Sequence, residues 1–262
     1  KKALIGQPVA VYIIYTLRRH TMNQKGNHYF EDLELNKYGF SSEEKEKICE
    51  FYDLCKTNDY GIYPVSKSEF EEMQSWSEEF LPEICLLWTN RNSNYAGVYI
   101  SGLLKGKVCI VDHEEEMYAP LFRSINSFIT TIVSHKLDDL YNQDMLKVDW
   151  ADYPSVNSSQ AEKDSDLHIV KTIIEQINKD SERDYYRSGM IVCYLMPNTH
   201  LDLLKPFLYE ENMWVQETAC YVLAIHKYEP AIEWLKEISQ IGKGNEKFAA
   251  TRSLKYMLEG TI

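Results

Sequence analysis

Nothing in the 262 residues approaches the roughly 18 uninterrupted apolar residues that a membrane-spanning helix needs, so no membrane span is expected. Basic residues are in deficit. Lys and Arg total 28 against 40 Asp and Glu, a formal net charge of −12. A chain this acidic repels nucleic-acid phosphates unless a basic patch is concentrated somewhere, and it attracts basic proteins. Among its six cysteines no Cys-x-x-Cys pair occurs, which excludes zinc-ribbon and thioredoxin-type sites on spacing. There is no Gly-x-Ser-x-Gly nucleophile elbow and no dinucleotide fingerprint. The run Gly102 to Val108 is not a phosphate loop. It has one residue too few between its glycines, Val108 stands where Ser or Thr should meet magnesium, and a strand follows instead of a helix.

Asp112-His113-Glu114-Glu115 invites a metal or acid–base reading. A helical zinc motif needs a second His four residues after the first, and that position is Met117. A polar strand end with solvated carboxylates explains the run as well. The other histidines show no paired ligand spacing. No catalytic residue, metal site or cofactor is therefore expected.

Cys85, Cys109, Cys193 and Cys220 sit among apolar residues, where a free thiol behaves as a small hydrophobe. That usage points to a reducing compartment, the cytoplasm. Lys1-Lys2 followed by Val9 to Tyr15 has the outline of a signal peptide, but Gln7 and Pro8 interrupt it and no small-residue cleavage site follows. Its β-branched and aromatic content predicts a buried strand.

Charge is unevenly spread. Residues 1–30 carry five Lys or Arg and no acid, whereas residues 31–83 carry fifteen acids and five bases. Ser41 to Glu44 forms a capping pattern ahead of Ile48, Phe51, Tyr52 and Cys55 at helical spacing. A second helix is expected from about Lys67 to Phe80, before Pro82. The turn-forming cluster from Asn90 to Asn94 precedes a predicted antiparallel hairpin, Tyr95–Ser101 with Lys107–Asp112, whose turn needs positive φ at Gly102 or Gly106. Ser124 can cap a helix bearing Ile125, Phe128, Ile129 and Ile132.

The polar stretch 149–166 reads as a linker, assigned to 151–165, between an α+β domain at 1–150 and an all-helical domain at 166–262. In the second part a 31-residue period relates Ile173, Leu204 and Leu235, then Val192, Leu223 and Leu254, then Ser188, Ala219 and Ala250. Each unit reads as two short helices, with the small residues allowing close stacking. Such a hairpin cannot bury its apolar face alone, so stacked units share a core. The period resembles short HEAT-like repeats. An irregular helical bundle is the alternative.

Tyr is frequent at 19, with 5 Trp. Trp88, Tyr95 and Tyr99 around the Asn-rich loop are candidate exposed anchors, with burial of Trp88 under the sheet equally consistent. The order Phe80-Leu81-Pro82, Trp88-Thr89-Asn90, Asn92-Ser93-Asn94-Tyr95, Gly102 to Val108, His113-Glu114-Glu115 and Pro120 to Ile129 resembles the SUKH superfamily, the Syd and Smi/Knr homology fold. The resemblance implies an antiparallel sheet with packed helices and no enzymatic activity. Many bacterial members of that superfamily are immunity proteins that bind and neutralise a toxin, and fungal members act through protein contacts. The expected partner is thus a protein, a basic toxin domain, with no nucleic acid or membrane. A regulatory scaffold binding through its helical repeats is the competing expectation. For the toxin-facing surface, Asn92, Asn94 and Tyr95 offer adaptable polar contacts, and Asp112, Glu114, Glu115 and Glu116 supply a steering field. The same residues also suit plain loop shaping and strand-end solvation.

Overall fold

Three Ser-x-x-Glu boxes set the starts of helices. Ser41 and Glu44 cap α1 (Ser42–Cys55) reciprocally, with Ser41 N donating to Glu44 Oε2 at 2.7 Å and Glu44 N donating to Ser41 Oγ at 3.2 Å. Ser66 and Glu69 do the same for α2 (Lys67–Phe80), and Ser159 and Glu162 for α4 (Gln160–Lys179). Ser124 Oγ accepts from Ser127 N at 3.1 Å at the start of α3 (Ile125–His135). The computed structural model describes residues 29, 31, 33–111, 118–135, 145–148, 150–179, 185–242 and 244–260. The strand expected at Val9 to Tyr15 lies outside the described residues.

Five strands form an antiparallel meander in the order β1 (Tyr63–Pro64), β2 (Ile84–Thr89), β3 (Tyr95–Tyr99), β4 (Val108–Val111) and β5 (Pro120–Phe122). The chain is therefore mixed α+β, with an antiparallel sheet followed by helices. The predicted hairpin is present: Tyr95 pairs with Val111 and Val98 with Val108, and both Gly102 (φ 71) and Gly106 (φ 85) take the left-handed conformation. Gly97, in the middle of β3, answers to a close approach. A Cβ there would meet Ile84 Cγ2 at 2.5 Å and the Cys85 carbonyl oxygen at 3.1 Å.

Strands β2, β3 and β4 are almost wholly buried. Burial on both faces explains why β2 and β4 read as continuous apolar runs with no alternation. Trp88 is fully buried, 4.7 Å from the Phe128 ring, which meets Phe122 edge-on at 5.2 Å. Tyr99 is buried too, its hydroxyl donating to the Tyr118 carbonyl at 2.7 Å. Neither is an exposed anchor. The apolar neighbours on β2 and β3 draw both rings inward, and a backbone acceptor satisfies the Tyr99 hydroxyl.

From residue 160 the described residues carry helices and 3-10 turns only: α4, α5 (Tyr185–Leu195), 3-10 turns at Leu201–Leu204 and Pro206–Tyr209, α6 (Met213–Ile225), α7 (Ala231–Ile241) and α8 (Asn245–Glu259). The 31-residue spacing maps onto this order, with α5, α6 and α8 as successive second helices packed side by side. Ile173, Leu204 and Leu235 are buried, as are Val192, Leu223, Ala219 and Ala250. Helix α5 packs tightly on α6 at Gly189, where a Cβ would stand 3.0 Å from both Val215 methyls. Its neighbour Ser188, the residue picked by the period, is only half-buried.

The polar stretch expected as a linker differs most from expectation. Helix α4 already begins at Gln160, and Tyr153 is only 2% exposed. The Asp152 and Tyr153 amides both donate to the Leu121 carbonyl on β5. Asp152 and Tyr153 are thus hydrogen-bonded to the sheet, and the buried residues of sheet and helices form one continuous apolar cluster.

Candidate functional site

The turn-rich sequence between β2 and β3 is organised by Asn90. Its Oδ1 accepts from the Asn92 amide at 2.8 Å and the Asn94 amide at 3.3 Å, an Asx-type turn. Thr89 Oγ1 accepts from the Arg91 amide at 2.9 Å. Arg91 (φ 64) and Ser93 (φ 65) are held in the left-handed region, which costs energy for residues with a Cβ. The loop-shaping role therefore belongs to Asn90. Asn92 and Ser93 stand exposed, while Asn94 and Tyr95 are half-buried at the entry to β3.

Because Tyr95 pairs with Val111, the chain leaves β4 at the same end of the sheet as this loop. Asn92, Asn94 and Tyr95 are thereby gathered at the point where β4 ends. Asp112, Glu114, Glu115 and Glu116 follow Val111 directly in sequence and lie outside the described residues.

The structure adds members that no local pattern announced. The Arg91 guanidinium lies 3.8 Å from the centroid of the Tyr63 ring. The Tyr63 hydroxyl donates to the Asp59 carboxylate, which also accepts from the Gly61 amide at 3.1 Å. These bonds hold the Asp59 carboxyl below its ordinary pKa, the Tyr63 bond contributing most, and raise that of the Tyr63 phenol. Tyr63 reaches the loop because it pairs with Thr89 across β1 and β2. A two-residue strand containing Pro64 leaves almost no sequence signal. The Tyr95 phenol is pushed up first by burial and then by Glu69 and Glu72 of α2. An acidic helix face therefore flanks the same end of the sheet.

A second polar cluster lies where α4 meets the sheet. Asp166, 3% exposed, accepts from Arg123 Nη1 at 2.7 Å and from the Tyr153 hydroxyl at 2.8 Å, with Lys107 Nζ at 3.5 Å. Lys107 Nζ and Arg123 Nη1 also donate to the Tyr153 oxygen, at 2.7 and 2.9 Å. Arg123 Nη2 donates to Ser158 Oγ at 2.7 Å, and Asp152 accepts from the Arg123 amide at 2.8 Å. Burial pulls the Lys107 ammonium below its ordinary pKa, with Asp166 opposing, and pushes the Tyr153 phenol up. Each charge here faces an opposite charge or a hydroxyl. The cluster works as a joint between β4, β5 and α4.

The thiols are not tuned for nucleophilic attack. Burial lifts Cys49 to about 11 and Cys55 and Cys109 to about 12, and pushes Cys85, Cys193 and Cys220 up as well. Among the described residues no group of three His, Cys, Asp or Glu side chains could hold a metal ion. A recess between α2 and β2, lined by Tyr38, Phe70, Met73, Ile84 and Ile100 among others, has no charged side chain in its wall. No helix among the described residues is long and apolar enough to cross a membrane. Comparison of the chain with protein-family models, with curated proteins and with solved structures returned no match.

Proposed function

We propose that this chain is a non-enzymatic, cytoplasmic protein-binding module, an immunity protein that binds and neutralises a basic toxin domain. The observation that carries the reading is the end of the sheet where β3 begins and β4 ends. There a strained, exposed polar loop and a half-buried Tyr95 stand beside the acidic face of α2. Tyr anchors and Asn contacts suit recognition of a folded partner, and acidic groups around them steer a basic one. Neutralisation then needs no chemistry of its own, only steric cover of the toxin's working surface. The six thiols, free in the structure, fit a reducing compartment.

The test uses the full chain and the toxin domain encoded by a neighbouring gene. Reversing Glu114, Glu115 and Glu116 together to Lys should leave the thermal transition unchanged and slow association at low salt by about tenfold. Tyr95→Ala should instead speed dissociation. Unchanged rates for the triple variant at low and moderate salt would remove this surface from the interface. The second reading, a scaffold that binds through its helical repeats, is favoured by a separate feature of α6 to α8.

A further inference from the structure

Eight large apolar side chains stand exposed among the described residues, and five of them belong to one edge of the helical half: Tyr209 (45%), Met213, Trp214 (37%), Ile241 and Phe248 (70%). Contacts between equivalent turns show why they gather. Lys205 Nζ lies 5.0 Å from the Trp234 ring centroid and Tyr209 donates to Glu237 Oε2 at 3.1 Å, so the 3-10 turn at Pro206–Tyr209 runs alongside α7 in the same direction. Arg252 donates to the Tyr221 hydroxyl at 3.3 Å, one 31-residue period away, as side-by-side α6 and α8 require. The ends at Tyr209 and Ile241 and the starts of α6 and α8 therefore share an edge.

The edge is built firmly. Asn212 Oδ1 caps α6 by accepting from the Trp214 and Val215 amides at 3.0 and 3.2 Å, which fixes Met213 and Trp214 in the first turn. Phe248 stands one period after Glu217, so the repeat does not require an apolar residue there. Packing does not explain it either, since most of the ring is in solvent. Around these side chains acids outnumber bases, although Lys205 over the Trp234 ring and Lys247 beside Phe248 stand among them. From Pro206 to His226 the chain carries Glu210, Glu211 and Glu217 and no Lys or Arg, and Glu237 of α7 adds a further carboxylate.

We infer that this edge is a second docking surface, for a basic amphipathic segment of another protein. The inference rests on the protein-binding reading but not on the sheet-end surface. Apolar and aromatic anchors with an excess of carboxylates about them complement a helix with one apolar face and a Lys- or Arg-rich rim. An anionic membrane would be repelled by the same carboxylates, and a second copy would bring like charges together.

A fluorescently labelled amphipathic peptide of about 18 Leu and Lys residues is titrated with the full chain, and a Leu and Glu peptide of the same pattern is the control. Wild type should bind the basic peptide, more weakly as salt rises, and should not bind the acidic one. The double variant Trp214→Ser with Phe248→Ser should lose about tenfold or more in affinity. Glu210→Lys with Glu211→Lys should weaken binding and flatten its salt dependence. Trp214, Phe248 and Glu211 are exposed and Glu210 is half-buried, and circular dichroism checks that the variants fold. Tyr95→Ala with Glu72→Lys, at the sheet end, should leave peptide binding within about twofold of wild type, which separates this surface from the other. Binding that ignores the Trp214 and Phe248 changes, or equal binding of the acidic peptide, overturns the inference. Self-association of the wild type that the double variant abolishes would assign the edge to a second copy and overturn it as well.

Discussion

Gly97 and His226 show how much rests on single side chains. At Gly97 the absent Cβ lets β2 and β3 approach, and even a methyl would press on the Cγ2 methyl of Ile84 and on the Cys85 carbonyl. Gly97→Ala should therefore destabilise the chain by about 1–3 kcal/mol, read from the denaturant midpoint. A gain in stability would mean that the strands can part without cost. His226, at the C-terminal end of α6, has both ring nitrogens buried without a hydrogen-bond partner. Burial, and secondarily Lys163, depress its pKa from 6.5 to about 4. The unfolded chain then binds the extra proton over that window, so stability is complete above about pH 6.5 and declines as pH falls toward about 4. Between pH 7 and pH 5 the loss from this group should be about 2 kcal/mol. A His226→Gln variant, which cannot titrate, should show a correspondingly flatter profile. Equal slopes would show that the ring meets water. Neither feature was legible in the sequence. Gly97 looked like one more residue of a strand, and His226 followed an apolar helix with nothing nearby to mark its surroundings. Asn92 and Asn94 were legible as loop residues, yet the hydrogen bonds that order the loop come from Asn90.

At the scale of elements, local chemistry was easiest to read. The Ser41 box, the Ser124 cap and the glycine turn at 102–106 each depend on residues within a few positions of one another, and each is found where the sequence put it. The 31-residue period marked the helices from Leu201 onward because stacking repeats the same burial. Contacts between distant segments were not legible. Polar composition suggested a linker at 151–165, because the sequence cannot show that Ser158, Tyr153 and Asp166 have partners in Arg123 and Lys107. The paired carboxylate gives a sharp prediction. Asp166→Asn removes the buried anion that half-buried Lys107 and Arg123 share, leaving Arg123 only the more distant Glu162, and should cost about 2 kcal/mol or more. Lys107→Met removes a cation that burial already disfavours and leaves Arg123 paired with Asp166, so its cost should be nearer about 1 kcal/mol. Equal costs for the two variants would mean that water reaches the joint. Limited proteolysis supplies a second readout. The wild type should resist cleavage between 151 and 159, and Asp166→Asn should open that stretch.

The joint and the shared apolar cluster bear on how the whole molecule unfolds. An independent sheet half and helical half would melt separately, each about its own core, as domains joined by a flexible connector do. Here Tyr153 and Asp166 tie α4 to β4 and β5 through groups that would be costly to strand, and the buried apolar residues run without a break from the sheet into the repeats. Separating the halves therefore exposes apolar surface and unpairs buried charge together. The wild type should unfold in urea as one transition. In a background with Trp214→Phe and Trp234→Phe, which confines indole emission to the sheet half, that emission should coincide with far-ultraviolet ellipticity, which the helical half dominates. The variant Asp166→Asn with Arg123→Gln removes the shortest ion pair across the joint but keeps the apolar contacts. In that variant the two signals should separate, with the less stable half moving to lower urea. Separate transitions in the wild type would instead make the halves independent domains. A single transition retained in the double variant would place the coupling in the apolar contacts alone. The cooperative outcome also bears on binding. Halves that unfold as one body hold the sheet end and the helical edge at a fixed spacing, so a partner touching both would bind the second surface without first ordering a flexible tether.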